Sequence, residues 1–355
     1  MISSNEGETL RAAEILYLSQ EDVLAAGGLD MSVAIPVMEE VFRIHFSGDY
    51  VLPSKSVLRW GEHESESVRG RMNSMPAWVG GEIRAVGVKW IASAPQNPFK
   101  FGLPRASAVI ILNDPDTLLP IAIMDGTVIS ACRTGANTAV AAKYLARQDA
   151  RVLGLIGAGV QNRTQLLALL YVLPNLKELR VYDICRDRAA SFAAEMGKRV
   201  GRKITVVNSA YAAVTGADVF VTATVTKEPI IKAAWIEPGS GTFYSHVGSH
   251  ECEFDAILKM DKRVVDDWGE IKHRGVESLA EMYHAGLVKD DAIYAELGAI
   301  VSGSRKGREN EDETIYLSTV GMGIEDVALG SRIYRRAVEG GLGQRLRLWK
   351  IPFYV

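Results

Sequence analysis

The sequence predicts an α/β protein in two parts, one in which strands and helices alternate and a strand-rich part that precedes it. Three observations carry this. The run Arg151-Val-Leu-Gly-Leu-Ile-Gly-Ala-Gly-Val-Gln-Asn162 reads as a short buried strand that turns through glycines into a helix. A second apolar run, Leu179-Arg-Val-Tyr-Asp183, ends in a carboxylate, and a third, Asp218-Val-Phe-Val-Thr-Ala-Thr224, follows another helical interval. Upstream, several strand-like segments are separated only by Gly, Pro and Asn-Asp-Pro turns, which argues for an antiparallel or mixed sheet. The alternating part is therefore a Rossmann-type dinucleotide-binding domain, and the remainder is an α+β unit.

The first periodic segment is Met31 to Phe46, where Val33, Ile35, Met38, Val41, Phe42 and Ile44 recur at helical spacing after a Gly-Gly-Leu-Asp start signal. Before it, the first dozen residues are polar and expected to fray. Arg71–Trp78, Ile83–Ile91, Ala106–Asn113 and Leu119–Met124 are the expected strands of the first unit, and Arg133 to Ala146 is helical. In the glycine run, Val152, Leu153, Leu155 and Ile156 form the strand, and Gly157 and Gly159 make a turn tight enough for backbone N–H groups to approach a pyrophosphate. Asn162 stands where the third glycine of the pattern belongs, which is expected to loosen helix–strand packing. Asp261–Trp268 adds another strand, the charged stretch 302–313 reads as a solvated connector, and Ile315 to Leu317 closes this unit. A long helix from Gly321 to Glu339 then returns to the first unit and makes it discontinuous, with 1–132 and 321–355 on one side and 133–320 on the other.

Asp183 bears on the choice of dinucleotide, since a carboxylate accepts a hydrogen bond from a ribose 2′-hydroxyl and repels a 2′-phosphate. NAD is favoured over NADP, although Arg186 and Arg188 are close enough in sequence to reach a phosphate. The formal charge of -3 and the lack of a dense basic block argue against a nucleic-acid partner. Cys132, Cys185 and Cys252 have no metal or redox spacing and suit a reducing, cytoplasmic setting; no metal site is expected. No apolar run has the length of a membrane span, and the N-terminus lacks the features of a signal peptide.

Met75-Pro76, Gly87-Val-Lys-Trp90, Ile129-Ser-Ala-Cys-Arg-Thr-Gly-Ala136, Gly157-Ala-Gly-Val-Gln161, Thr222-Ala-Thr224, Ala295-Glu-Leu-Gly298 and Val320-Gly-Met-Gly-Ile-Glu-Asp326 occur in one order along nearly the whole chain. Together they resemble the ornithine cyclodeaminase/μ-crystallin family. Lys89-Trp-Ile-Ala-Ser93, Asn97-Pro98, Arg105-Ala-Ser107, Val109–Pro115 and Val264–Trp268 look most like an opine-type dehydrogenase branch that serves siderophore biosynthesis. The resemblance implies NAD-dependent oxidation of a secondary amine linking two amino acids, after which imine hydrolysis releases 2,3-diaminopropionate and 2-oxoglutarate. It also implies a homodimer paired through the discontinuous domain, with each active site between the two domains of one subunit.

Oxidising a C–N bond needs a nicotinamide over the Cα–H, cations for the α-carboxylate and a base for the amine proton. Lys89 ends an apolar strand, where a buried ammonium without a partner is costly, and it matches the family's active-site lysine. Met75, Lys89, Arg133 and Lys55 are the expected substrate contacts. A strand-end lysine reaching solvent, a helix-surface arginine and a loop lysine are the competing descriptions of the three cations. Cofactor contacts are expected from Thr134, Gly157, Ala158, Gly159, Val160, Gln161, Asp183, Thr222, Ala223 and Thr224; the two strand-end threonines also read as satisfied hydroxyls. The cyclodeaminases carry an aspartate after the nicotinamide-side strand, and this chain has Val247-Gly-Ser-His-Glu-Cys252 instead. His250, or Glu251 after a one-residue shift, takes that position as proton acceptor. Asp326 reads as a first-turn helix carboxylate favoured by the dipole. Ornithine cyclodeaminase, a cyclic-imine or ketimine reductase, and a nucleotide-dependent binding protein of μ-crystallin type remain the alternatives.

Overall fold

In the computed structural model, which describes residues 12–61, 70–226 and 228–353, the chain is built on two eight-stranded sheets. Residues 1–11, the greater part of the stretch expected to fray, lie outside the described residues. The first sheet holds β1 (Ala13–Leu18), β2 (Tyr50–Val51), β3 (Ser56–Trp60), β4 (Gly70–Val79), β5 (Ala85–Ser93), β6 (Ala106–Asn113) and β7 (Pro120–Asp125). The second holds β8 (Val152–Ile156), β9 (Glu178–Tyr182), β10 (Ile204–Val206), β11 (Val219–Thr222), β12 (Phe243–His246), β13 (Lys262–Val265), β14 (Ala295–Glu296) and β15 (Ile315–Ser318). The last strand, β16 (Gln344–Trp349), returns to the first sheet and pairs with β1.

β4 to β7 form an antiparallel meander, as the turn-separated segments predict. Alternation sets its two faces. On β5, Ala85, Gly87 and Lys89 point inward and are buried, whereas Val86, Val88 and Trp90 point outward. The inner face is covered by the helix Gly323–Glu339, which packs on β4 and β5.

The second sheet runs β10-β9-β8-β11-β12-β15-β13-β14 and every pairing in it is parallel. Its central strands are buried on both faces, so β11 reads as a near-continuous apolar run, whereas β12 and β15 also bury Ser245, His246 and Ser318. The last residues of neighbouring strands form one row, Tyr182, Ile156, Thr222, His246, Ser318 and Val265. Ligands of open parallel sheets bind outside this carboxyl edge. The connector 302–313 is fastened: Arg308 donates to the carbonyls of Leu145, Gly241 and Glu313, and Lys262 pairs with Glu309 and Glu313.

One partly buried pair ties the two halves together. His45, near the end of the helix Met31–Ser47, bonds through Nε2 to Asp267 Oδ2 at 3.1 Å. Burial opposes the imidazolium, but Asp267, Glu296 and Asp266 outweigh it and raise the His45 pKa. Burial likewise opposes the Asp267 carboxylate, yet His45 and backbone N–H groups hold its pKa below the usual value. The histidine's contribution is therefore complete below its unfolded pKa of about 6.5 and fades as pH rises through the higher folded value. Asp267 contributes above its unfolded pKa and loses that contribution as pH falls through the depressed one. The unfolding midpoint of His45→Gln should trail wild type more at about pH 5.5 than at about pH 8.5. A gap independent of pH would mean that the ion pair is not what joins the halves.

Candidate active site

The glycine loop leaves β8 at the carboxyl edge. Gly157 has φ 96°, and a Cβ there would lie 2.6 Å from the Ala223 carbonyl oxygen, so only glycine suits this crossing. Around Gly159 there is open space, and the helix Val160–Val172 begins there without a side-chain cap. Its first N–H groups are thus available to a pyrophosphate. These residues fit a dinucleotide, with Val160 exposed and Gln161 half-buried on the opening turn.

Asn162 does more than occupy the third glycine position. Its Nδ2 donates to the carbonyls of Ile156 and Gly157 at 2.8 and 2.6 Å, so the side chain that was expected to loosen helix–strand packing ties the start of the helix to the end of β8. Asp183 follows β9 and accepts from the Ala158 N–H at 2.8 Å and the Cys185 N–H at 2.9 Å, fixing its carboxylate beside the loop. Asp183→Ser should shift the kcat/KM ratio toward NADP by about tenfold or more, because it removes an acceptor for the 2′-hydroxyl and a charge that repels a 2′-phosphate. An unchanged ratio would remove Asp183 from the adenosine ribose site.

The three expected cations converge beside this edge. Lys89 is fully buried, opposite Met75 across the β4–β5 ladder, and donates to Asp326 Oδ2 at 2.5 Å and Ser130 Oγ at 3.2 Å. Burial above all, reinforced by Arg133, lowers its pKa to about 8 despite the attraction of Asp326. Arg133 lies in the helix Thr127–Leu145 and donates through Nε to Asp326 at 3.1 Å and through Nη1 to Glu325 at 2.6 Å. Lys55 donates to the Val320 carbonyl at 2.9 Å, and burial with repulsion from Arg274 brings it to about 8.

The cations and the parallel sheet meet at the turn after β15. Asp266 accepts from the N–H groups of Val320 and Gly321, and its burial, aided by Glu325, lifts its pKa to about 7. Gly321 has φ 70°, and a Cβ there would fall 2.3 Å from Arg133 Nη1. The turn and the guanidinium therefore require each other's shape.

The loop after β12 separates its two candidates. Glu251 is buried and accepts from the Thr222 hydroxyl and from the N–H groups of Thr224 and Gly248, so it ties the loop to β11. Thr222 is buried and also shares a hydrogen bond with Tyr244, while the Ala223 N–H donates to Ile156. Beneath them His246 is held near 3 by burial and contacts Tyr316. His250 is half-buried, with Nδ1 2.8 Å from Glu281 Oε2. Thr134, half-buried on the helix bearing Arg133, donates to the Ser130 carbonyl.

Glu325, Asp326 and Asp266 are the participants that sequence reading undervalued. The dipole argument for Asp326 holds, since it lies in the first turn of Gly323–Glu339, but it also neutralises Lys89 and Arg133. The signal was present in two adjacent carboxylates after a Gly-x-Gly turn, in a helix whose first nine residues are all buried.

Backbone N–H groups open to an anion and three buried or partly buried cations, meeting at one strand edge, suit a dinucleotide-dependent oxidoreductase of amino acids. The profile of the Ornithine cyclodeaminase/mu-crystallin family matches residues 17–341, and the chain belongs to that family. N-((2S)-2-amino-2-carboxyethyl)-L-glutamate dehydrogenase of Staphylococcus aureus is 35% identical over 337 residues, covering 95% of this chain and 99% of that protein. Thermococcus litoralis Δ(1)-pyrroline-2-carboxylate reductase, solved with NADH and L-proline, superposes with a TM-score of 0.84 at 37% identity, over 93% of this chain and 99% of that one. An archaeal alanine dehydrogenase, a dimer with bound NAD, gives 0.83 at 34% identity over 95% and 100%.

Proposed function

We propose that this enzyme, an NAD-dependent oxidoreductase acting on the C–N bond of an amino acid, takes an open-chain N-(carboxyalkyl)amino acid such as N-(2-amino-2-carboxyethyl)-L-glutamate. The observation that carries the reading is the grouping of Lys89, Arg133 and Lys55 at the carboxyl edge, with Lys55 bonded, among the described residues, only to a carbonyl. The similarity to the staphylococcal dehydrogenase supports the same substrate. The bound dinucleotide supplies the hydride acceptor. Arg133 and Lys55 hold the α-carboxylate. Lys89, with its pKa near 8 and Asp326 behind it, assists carboxylate binding and moves the proton at the substrate nitrogen. His250 stands where the cyclodeaminases carry aspartate and accepts the amine proton, while Glu251 positions the loop.

In this reading, residues 133–320 bind NAD, and 1–132 with 321–355 bind substrate and dimerise. The outward face of the first sheet supports the homodimer, since Trp90 and its cross-strand partner Val109 are exposed there. Three free thiols support a cytoplasmic setting. A paired assay with NAD tests the substrate. NADH accumulation from N-(2-amino-2-carboxyethyl)-L-glutamate is the expected result; ammonia and proline from L-ornithine without net NADH would replace it with cyclodeaminase activity.

A further inference from the structure

We propose that the segment 94–105, which joins β5 to β6 in the substrate-binding half, reaches across the carboxyl edge and that its Phe99, backed by Arg188, stacks on the adenine of bound NAD. The inference rests on the placement of the adenosine ribose at Asp183 and assigns the next group along the dinucleotide.

A contact between the halves supplies the geometry. The Arg188 guanidinium lies over the Phe99 ring, 5.4 Å from its centroid and within cation–π range. Arg188 belongs to the first turn of the helix Arg186–Val200, and two hydrogen bonds connect it to the ribose carboxylate. Its N–H donates to the Cys185 carbonyl at 3.1 Å, and the Cys185 N–H donates to Asp183 Oδ1 at 2.9 Å. Phe99 is therefore held against the turn that follows β9, at the edge where ligands of parallel sheets bind. Arg186, the other arginine near Asp183, donates to Asn208 Oδ1 at 2.5 Å within its own half.

The segment is built to present that ring. Its base is closed by the Ala94 N–H, which donates to the Arg105 carbonyl at 2.8 Å, and by Asn97 Nδ2, which donates to the Pro104 carbonyl at 3.2 Å. Inside it, the N–H groups of Phe99 and Lys100 donate to the Gln96 carbonyl, and those of Phe101 and Leu103 donate to the Asn97 carbonyl. Ends that meet and an interior bonded to itself make a compact Ω-loop, a form frequently used for binding. Pro98 and Pro104 restrict its backbone further. Such a loop has little freedom left to lose when it grips a ligand.

Exposure points to the occupant. Phe99 remains 69% exposed with Arg188 over one face, so the rest of the ring is open. In the other half Ile184, directly after Asp183, is 93% exposed. Each half thus holds a large apolar side chain bare to water near the ribose carboxylate. Adenine is bonded to that ribose and offers a π-face to the phenyl ring, so guanidinium, phenyl and base form one stack. The loop begins five residues after Lys89, and the stack ties the cofactor to the strand that carries this lysine.

The test measures binding of NADH and of ADP-ribose, which lacks the nicotinamide, to the full chain. Phe99→Ala should weaken both by about tenfold, whereas Phe99→Tyr, which keeps the ring, should stay within about twofold of wild type. Arg188→Gln should weaken both by about threefold. An unfolding midpoint of the cofactor-free chain close to wild type shows that each variant is folded. Unchanged ADP-ribose affinity in Phe99→Ala overturns the stack, and so does an equal loss in Phe99→Tyr. Unchanged affinity with an altered sedimentation coefficient also overturns it and makes the loop an interface between copies of the chain. Asp183→Ser is measured alongside: a loss of ADP-ribose affinity in Phe99→Ala but not in Asp183→Ser refutes the ribose placement alone, and the reverse pattern refutes the stack alone.

Discussion

Lys89→Met is expected to lower kcat/KM by about 10³-fold while NAD affinity and the unfolding midpoint stay close to wild type. The chemical loss is large because the side chain is fully buried at the meeting point of the two halves, where no water can substitute for it. Folding should survive because Asp326 keeps Arg133 as a second cation 3.1 Å away. The wild-type pH profile follows from the same geometry. With a pKa of about 8, Lys89 is mostly an ammonium at pH 7 and loses its proton as pH rises through that value, as does Lys55. Affinity for the substrate carboxylate should therefore decline above about pH 8, and the inflection should be weaker in Lys89→Met. A few-fold change in kcat/KM for the variant would mean that the chemistry happens elsewhere.

Asp326→Asn is expected to be the most destabilising single change in the site, by about 3–5 kcal/mol in urea unfolding. One carboxylate serves both Lys89 and Arg133, and both Asp326 and its partners are buried. Removing it leaves an ammonium without a counter-charge and a guanidinium with Glu325 alone. The sign for Lys89 is also fixed. Burial and Arg133 already hold its pKa down, so losing the attraction of Asp326 lowers it further and makes the amine more often neutral at pH 7. A variant as stable as wild type would show that water enters and neutralises the cluster.

The parts of the fold that sequence revealed are those with strong periodicity or turn chemistry. β6 spans Ala106–Asn113, the expected segment, because alternation and an Asn-Asp-Pro turn bound it. β12 was harder to see. Its Ser245 and His246 look like loop residues, and they are buried in a strand because Thr138 and Tyr316 satisfy them. β1 and β16 went unforeseen for another reason, as they pair with each other from opposite ends of the sequence. At the site, Lys89 stood out as a charge ending an apolar strand, and Arg133 through the Cys132-Arg-Thr-Gly-Ala136 segment that carries the family resemblance. Their partners did not, since pairing across so great a separation leaves no local pattern.

That separation also says when the site comes into being. Lys89 and Asp326 are 237 positions apart, and Arg133 and Glu325 are 192 apart. On a growing chain the cations leave the ribosome long before the carboxylates that neutralise them, and β1 waits for β16 to cover its edge. The parallel sheet between them can assemble in the meantime, but the first unit closes only once the final helix has been made. Such long-range contacts slow folding and expose intermediates. The cluster of Lys89, Arg133, Glu325 and Asp326 is thus also among the last parts of the molecule to form, and a nascent chain stopped before Glu325 carries its cations without the carboxylates that hold them.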